Sequence, residues 1–378
     1  MTTSDAHPVY QELGVRRVIN AQGNRTLLGG SAIAQEIQNA MGYANEHYVE
    51  MKELLQKSGE YVAQMLGVEA AYITSGCAAA LTLGTAGFMT GKDLDKMAQL
   101  PNTSGMKTDI LIQKLQRYSY DRCFTLTGAN LIEVGDSAGC SAEQLNSAIG
   151  NNTAGVAFLA RQDWDDSILP LEEVIRVAHE NNVPVIVDAA SQIYPLDYFR
   201  TLSQQADLVC FGAKYFGAPN STGIACGKRE YVELVAAHGF IGFESLGSRA
   251  IGRPMKVDRQ EIIGVVAALK AWFTMNHEDR IIGYDDKFSV IKDELESVRG
   301  IKVELTQNPT AWPFRLEVTI NPQEIAKNAD QIRDELDQGN PRIWLGGSDP
   351  QTLIINVNEL NEGDENIVAD RLKKALMS

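Results

Sequence analysis

The chain has 378 residues, 44% of them apolar and 22% charged, with a net charge of −15. That is enough chain for two or three domains and a large core. The acidic balance and the lack of any lysine- or arginine-rich run argue against a nucleic-acid partner, and no apolar stretch is long enough to span a membrane. The N-terminus, Met1-Thr-Thr-Ser-Asp-Ala-His7, has no apolar core of a secretion signal. Cys77, Cys123, Cys140, Cys210 and Cys226 form no CxxC pair, which fits reduced thiols in the cytoplasm.

In chain order, residues 8–30 read as a short strand entering a glycine-rich loop that carries Arg25. Residues 31–66 are helical by period, with Ile33, Ile37, Met41, Ala44, Tyr48 and Met51 three or four apart. Ala70 to Thr74 is a short strand, and Ser75-Gly76 turns it into a helix that opens at Cys77, with Ser75 the expected N-cap. The amides of Gly76, Cys77 and Ala78 then stand at a helix head, where the macrodipole favours an anion. That seat fits a phosphate, or simply water on a capped helix.

Strands are expected at 109–113, 129–134, 154–160 and 184–188, in the run ending near Lys214, and at 222–226, with helices at 141–149, 170–182 and 196–205. Such alternation predicts an α/β fold with a mostly parallel sheet and crossover helices. Residues 239–248 read as a loop and 262–275 as a helix bridging two domains. Strand-like runs at 301–320 and 342–357, with helices near 323–337 and 364–377, make a smaller α+β domain. The expected division is an N-terminal segment, 1–45, that joins the small domain, a large domain at 46–250, and the small domain at 251–378.

Two apolar runs end in chemistry. Val185-Ile-Val-Asp188 and Asp207-Leu-Val-Cys-Phe-Gly-Ala-Lys214 both read as buried strands. Ligands of open α/β sheets sit beyond the carboxyl ends of strands, so Asp188 and Lys214 are expected to face one crevice. The pair suits pyridoxal phosphate, which takes a lysine for a Schiff base and an acid for its pyridine nitrogen. Alone, it equally fits a solvated lysine and a capping aspartate.

Further pieces follow in order: Ile19-Asn-Ala-Gln-Gly-Asn-Arg-Thr-Leu-Leu-Gly-Gly30, Val68-Glu-Ala-Ala-Tyr-Ile-Thr-Ser-Gly-Cys-Ala-Ala-Ala80, Val187-Asp-Ala-Ala-Ser191, Phe211-Gly-Ala-Lys-Tyr-Phe-Gly-Ala-Pro-Asn-Ser-Thr-Gly223 and Gly252-Arg-Pro-Met-Lys-Val257. With these the chain resembles the fold-type-I pyridoxal-phosphate enzymes, in their selenocysteine-synthase-related branch, over most of its length. The resemblance implies that Lys214 links to the cofactor and moves protons at the substrate's α-carbon, and that Asp188 pairs with the pyridine nitrogen. It places Ala190 on the ring face, Ser191 or Gln192 at the ring hydroxyl, and Ser75, Gly76 and Cys77 at the phosphate. Ser221 and Thr222 would reach the phosphate from a second subunit of a homodimer.

The chain departs from that pattern twice. Phe211, Gly212 and Ala213 stand where relatives carry a serine or threonine before the lysine. No histidine follows strand 109–113 to cover the ring, and Gln116 or Arg117 would take its place. Arg25, Arg253 and Lys256 are candidates for a substrate carboxylate or phosphate, against the alternative of surface ion pairs. Asp163-Trp-Asp-Asp166 reads as a solvated loop rather than a metal site, since no EF-hand spacing follows. His7, His47, His179, His238 and His277 read as structural or surface residues.

The implied function is a pyridoxal-phosphate-dependent lyase of the ammonia-lyase type, acting by α,β-elimination at Cα of a small amino acid or amino sugar acid. Racemisation and transamination share its first proton transfer and stay open. Two rivals come from other classes: selenium transfer onto tRNA, which the net charge disfavours, and a binding protein that keeps the fold without catalysis.

Overall fold

Residues 8–307 and 314–378 are described in the computed structural model, and the apolar runs supply its strands. In chain order these are β1 (Val18–Ala21), β2 (Ala70–Thr74), β3 (Asp109–Gln113), β4 (Asn130–Val134), β5 (Thr153–Leu159), β6 (Val185–Asp188), β7 (Leu208–Gly212), β8 (Gly223–Gly227), β9 (Ile301–Gln307), β10 (Phe314–Ile320), β11 (Arg342–Leu345) and β12 (Thr352–Ile355).

The larger of two compact units holds residues 33–274. Its sheet runs β2-β8-β7-β6-β5-β3-β4. Neighbours from β4 to β7 are parallel, while β8 is antiparallel to both β7 and β2. Every residue of β6 and β7 is buried, as a sheet covered by helices on both faces requires. The helix Cys77–Thr90 is apolar all round and almost wholly buried. Its Gly84 permits a close approach to the sheet: a Cβ there would stand 2.4 Å from the Leu208 side chain.

The helical stretch 31–66 proves to be two helices, Gln35–Glu46 and Met51–Leu66. Glu50 breaks them by capping the second, its carboxylate accepting the amides of Lys52 and Glu53 at 3.0 and 2.6 Å. The helix Arg259–Thr274 buries Ile262, Val265, Ala268, Leu269 and Trp272 and packs on both of these helices. The units therefore divide after Ala32 and after Thr274, not after residues 45 and 250. The expected bridging helix lies wholly in the larger unit. Residues 240–246 are helical rather than a loop, and Gly76, not Ser75, is the N-cap before Cys77.

The smaller unit holds residues 8–32, 275–307 and 314–378. β10 lies between β9 and β12 in an antiparallel sheet, and β1 pairs in parallel with β11. Helices His277–Leu295, Ala329–Gln338 and Asp364–Met377 cover its core, which includes Ile19, Leu316, Val318, Ile343, Leu353 and Leu372. Among the described residues no helix is long and apolar enough to cross a membrane.

Candidate active site

Asp188 is the last residue of β6, and Lys214 lies two residues past the end of β7. The register places Asp188 opposite Cys210. Beyond the ladder, the Ala189 amide donates to the Cys210 carbonyl and the Gly212 amide to the Ala190 carbonyl, both at 2.9 Å. The two segments thus leave the sheet together, at its carboxyl edge. Lys214, half-buried, sits in the short turn Ala213–Phe216, which Gly217 closes at φ +84°. The Ala213 amide is held by the Thr222 carbonyl at 2.9 Å.

The Asp188 side chain is nearly sealed from solvent, with 4% of the residue exposed. Its Oδ1 accepts the Ala190 amide at 3.0 Å and the Cys77 thiol at 3.5 Å, and its Oδ2 accepts the Tyr118 hydroxyl. Burial raises the carboxyl above its usual range, while the Tyr118, Ala190 and Cys77 hydrogen bonds pull it back down.

The head of the helix Cys77–Thr90 completes the crevice. Gly76 has φ +89°, a left-handed conformation that suits glycine, and a Cβ on it would meet open space. Gly223 of β8 packs directly beneath: a Cβ there would lie 2.4 Å from the Gly76 carbonyl carbon and 2.6 Å from the Cys77 nitrogen. The first amides of an α-helix have no intrahelical acceptor. The Cys77 thiol turns inward, to the Cys210 carbonyl at 3.3 Å and to Asp188. Burial first, and then the Asp188 charge, push that thiol well up, so it stays protonated.

A buried carboxylate, a lysine on the adjoining strand end and an open helix head suit the nitrogen, aldehyde and phosphate of one cofactor, pyridoxal 5′-phosphate. The model of the aminotransferase class-V family matches residues 37–245. The chain belongs to that family. It is a pyridoxal-phosphate enzyme. D-glucosaminate-6-phosphate ammonia lyase of Salmonella typhimurium is 28% identical, covering 97% of both chains. A 5′-C-glycyluridine monooxygenase-decarboxylase of Streptomyces sp is also 28% identical, over 97% of this chain and 92% of that one. A solved D-glucosaminate-6-phosphate ammonia-lyase superposes with a TM-score of 0.82 at 25% identity, covering 98% of this chain and 99% of the other.

In this class-V protein the other expected residues are placed unevenly. Ser75 and Ser191 are half-buried in the segments that follow β2 and β6. Gln192 is buried, its side-chain oxygen accepting Gln162 Nε2 at 3.3 Å. Thr222 is buried too, and its hydroxyl donates to the Pro219 carbonyl at 2.7 Å, which closes a turn. Ser221 is exposed and donates to Glu261. Arg253 pairs with Glu244 at 2.8 Å, while Lys256 is exposed. Arg25 is exposed in the smaller unit, ahead of a short turn.

Neither residue expected in place of the missing histidine faces Asp188. Gln116 is buried and clamps Leu159, donating to its carbonyl at 3.1 Å and accepting its amide at 3.3 Å. Arg117 pairs with Asp121 and Glu133. Tyr118, the next residue, is the one that reaches the carboxylate. In the acidic loop, Asp163 pairs with Arg161 and Asp165 accepts Ser167, so two of its carboxylates have local partners. His179 bonds to Asp207 and His238 to Thr90, while His7 lies outside the described residues.

Proposed function

We propose that this protein is a lyase of the ammonia-lyase type, eliminating across Cα and Cβ of a small amino acid or amino sugar acid. Full-length similarity to D-glucosaminate-6-phosphate ammonia lyase is the observation that carries the reaction. The crevice with Asp188 and Lys214 at adjoining strand ends supports chemistry at Cα. Bound there, pyridoxal phosphate draws electrons from the α-carbon. Lys214 takes the proton from Cα, and the electron pair left behind expels the β-substituent. Water then releases ammonia and a keto acid. Asp188 holds the proton on the ring nitrogen throughout.

The amides of Gly76 and Cys77, with the Ser75 hydroxyl, hold the phosphate, and Ser191 serves the ring hydroxyl. Thr222 acts by fixing the turn before β8, and Ser221 is the residue left to reach outward to a second subunit. In the larger unit Arg253 binds the substrate's acid group, exchanging Glu244 for it. We place the enzyme in the cytoplasm as a homodimer. The unpaired cysteines and the exposed Tyr43, Tyr48 and Leu246 support that reading.

A second reading, oxidative decarboxylation at the same carbon, follows from the equal identity to the monooxygenase-decarboxylase. The test is a screen of β-hydroxy amino acids and phosphorylated amino sugar acids. Ammonia and keto acid released in equal amounts, with no oxygen consumed, support the lyase. Oxygen uptake matched by carbon dioxide release supports the second reading and overturns the first.

A further inference from the structure

Tyr118 is held as firmly as a catalytic loop residue needs to be. It follows β3 and the turn Lys114–Gln116, and that stretch is stapled at several points. The Gln113 side chain donates to the Leu169 carbonyl at 2.9 Å and accepts its amide at 2.8 Å. Gln116 makes the same paired contact with Leu159, the last residue of β5. Asp121 accepts both the Arg117 side chain at 2.5 Å and the Tyr118 amide at 3.2 Å. Leu159 lies opposite Asp188 in the ladder. The chain after β3 therefore crosses the end of β5 and delivers the phenol to Asp188 Oδ2.

We propose that Tyr118 is a positioning residue, whose hydroxyl fixes the Asp188 carboxylate as an oriented anion for the ring nitrogen of the cofactor. The proposal rests on the cofactor assignment. An ionised carboxylate has about four lone-pair positions. Ala190 and Cys77 engage Oδ1 and Tyr118 engages Oδ2, which leaves room for a ring N–H.

The titratable groups coupled to Asp188 are Tyr118, Cys77 at the helix head, Cys210 on β7 and Cys123 on the helix Arg122–Thr125. Burial raises all three thiols and the phenol, so these four stay protonated from pH 5.5 to 8.5. Binding a protonated ring against a protonated carboxyl puts two protons where one fits. Affinity must therefore fall on the acid side of the Asp188 titration. Removing one donor to the anion moves that titration to higher pH.

The test measures pyridoxal-phosphate affinity of the full chain by equilibrium dialysis from pH 5.5 to 8.5, for the wild type, Tyr118→Phe and Tyr118→Ala. Tyr118→Phe keeps the ring and loses only the hydroxyl. Its expected affinity equals the wild type at the alkaline end and is about tenfold weaker at the acid end, an acid limb shifted up by about one pH unit. Profiles of Tyr118→Phe and wild type that superimpose would overturn the proposal. So would a loss seen only in Tyr118→Ala, which means packing alone, or a loss equal at every pH, which means that the hydroxyl does not act through the Asp188 charge. A wild type that binds no pyridoxal phosphate at any pH sinks the cofactor assignment itself, an outcome distinct from these.

Discussion

Asp188 carries a cost that its proposed role toward the cofactor would explain. A buried carboxylate is expensive unless it is hydrogen-bonded, and this one accepts three donors, which lower the cost that burial imposes on its charged form. Asp188→Asn should leave the melting temperature of the cofactor-free protein unchanged or higher, yet weaken pyridoxal-phosphate binding by about 10- to 100-fold. Thermal melts and equilibrium dialysis measure the two effects separately. Asp188 and Lys214 were legible in sequence because each follows a β-branched or apolar run whose end must meet solvent or ligand. Tyr118 was not legible: it stands in a loop without period, and only the staples around it aim its hydroxyl. His238 shows burial acting elsewhere. Its ring is sealed from solvent, with Nε2 at 2.8 Å from the Thr90 hydroxyl, and burial pushes it down to about 4. The unfolded chain takes a proton near pH 6.5 that the folded chain refuses until about pH 4. Stability should thus fall as pH drops through that window, by about 3 kcal/mol at its lower end. His238→Gln should flatten the slope, as read by urea melts at pH 4.5 and 7.

At the scale of elements, the strands of the larger unit were read within a residue or two because buried parallel strands are short apolar runs bounded by turn signals. Several helices escaped, Arg229–His238, Phe240–Leu246 and His277–Leu295 among them. Phe240–Leu246 mixes glycine with aromatics, and His277–Leu295 buries only Phe288, Ile291 and Leu295 among many charges, so neither shows a strong period. The N-cap lies one residue on from the expected Ser75: Gly76 takes φ +89°, and Gly223 of β8 leaves room beneath it where a Cβ would stand 2.4 Å from the Gly76 carbonyl carbon. Gly223→Ala should cost about 1–3 kcal/mol by overpacking that contact. It should also weaken pyridoxal-phosphate binding more than binding of the non-phosphorylated aldehyde, pyridoxal, because the helix head must shift. Melts and paired dialysis of the two ligands test this.

At the scale of the whole molecule, the alternation of strands and helices was enough to foresee an α/β fold with a mostly parallel central sheet. The boundaries were not legible, because they depend on which helix covers the buried stripe of Arg259–Thr274. The N-terminal segment is tied into the smaller unit by β1 and by Glu359, which accepts Asn24 Nδ2 at 2.7 Å and the Ala32 amide at 2.8 Å. Glu359→Ala should cost about 1–3 kcal/mol and speed hydrogen exchange at residues 20–32, leaving β5 to β7 as protected as before. The central claim is that Lys214 binds pyridoxal phosphate covalently beside Asp188. Its most direct measurement is borohydride reduction of the cofactor-loaded protein, followed by peptide mass spectrometry, for the wild type and Lys214→Ala. The account predicts a visible absorbance band lost on reduction, a pyridoxyl adduct on the peptide containing Lys214, and neither in Lys214→Ala. An adduct on another lysine, or the same band persisting in Lys214→Ala, would contradict it.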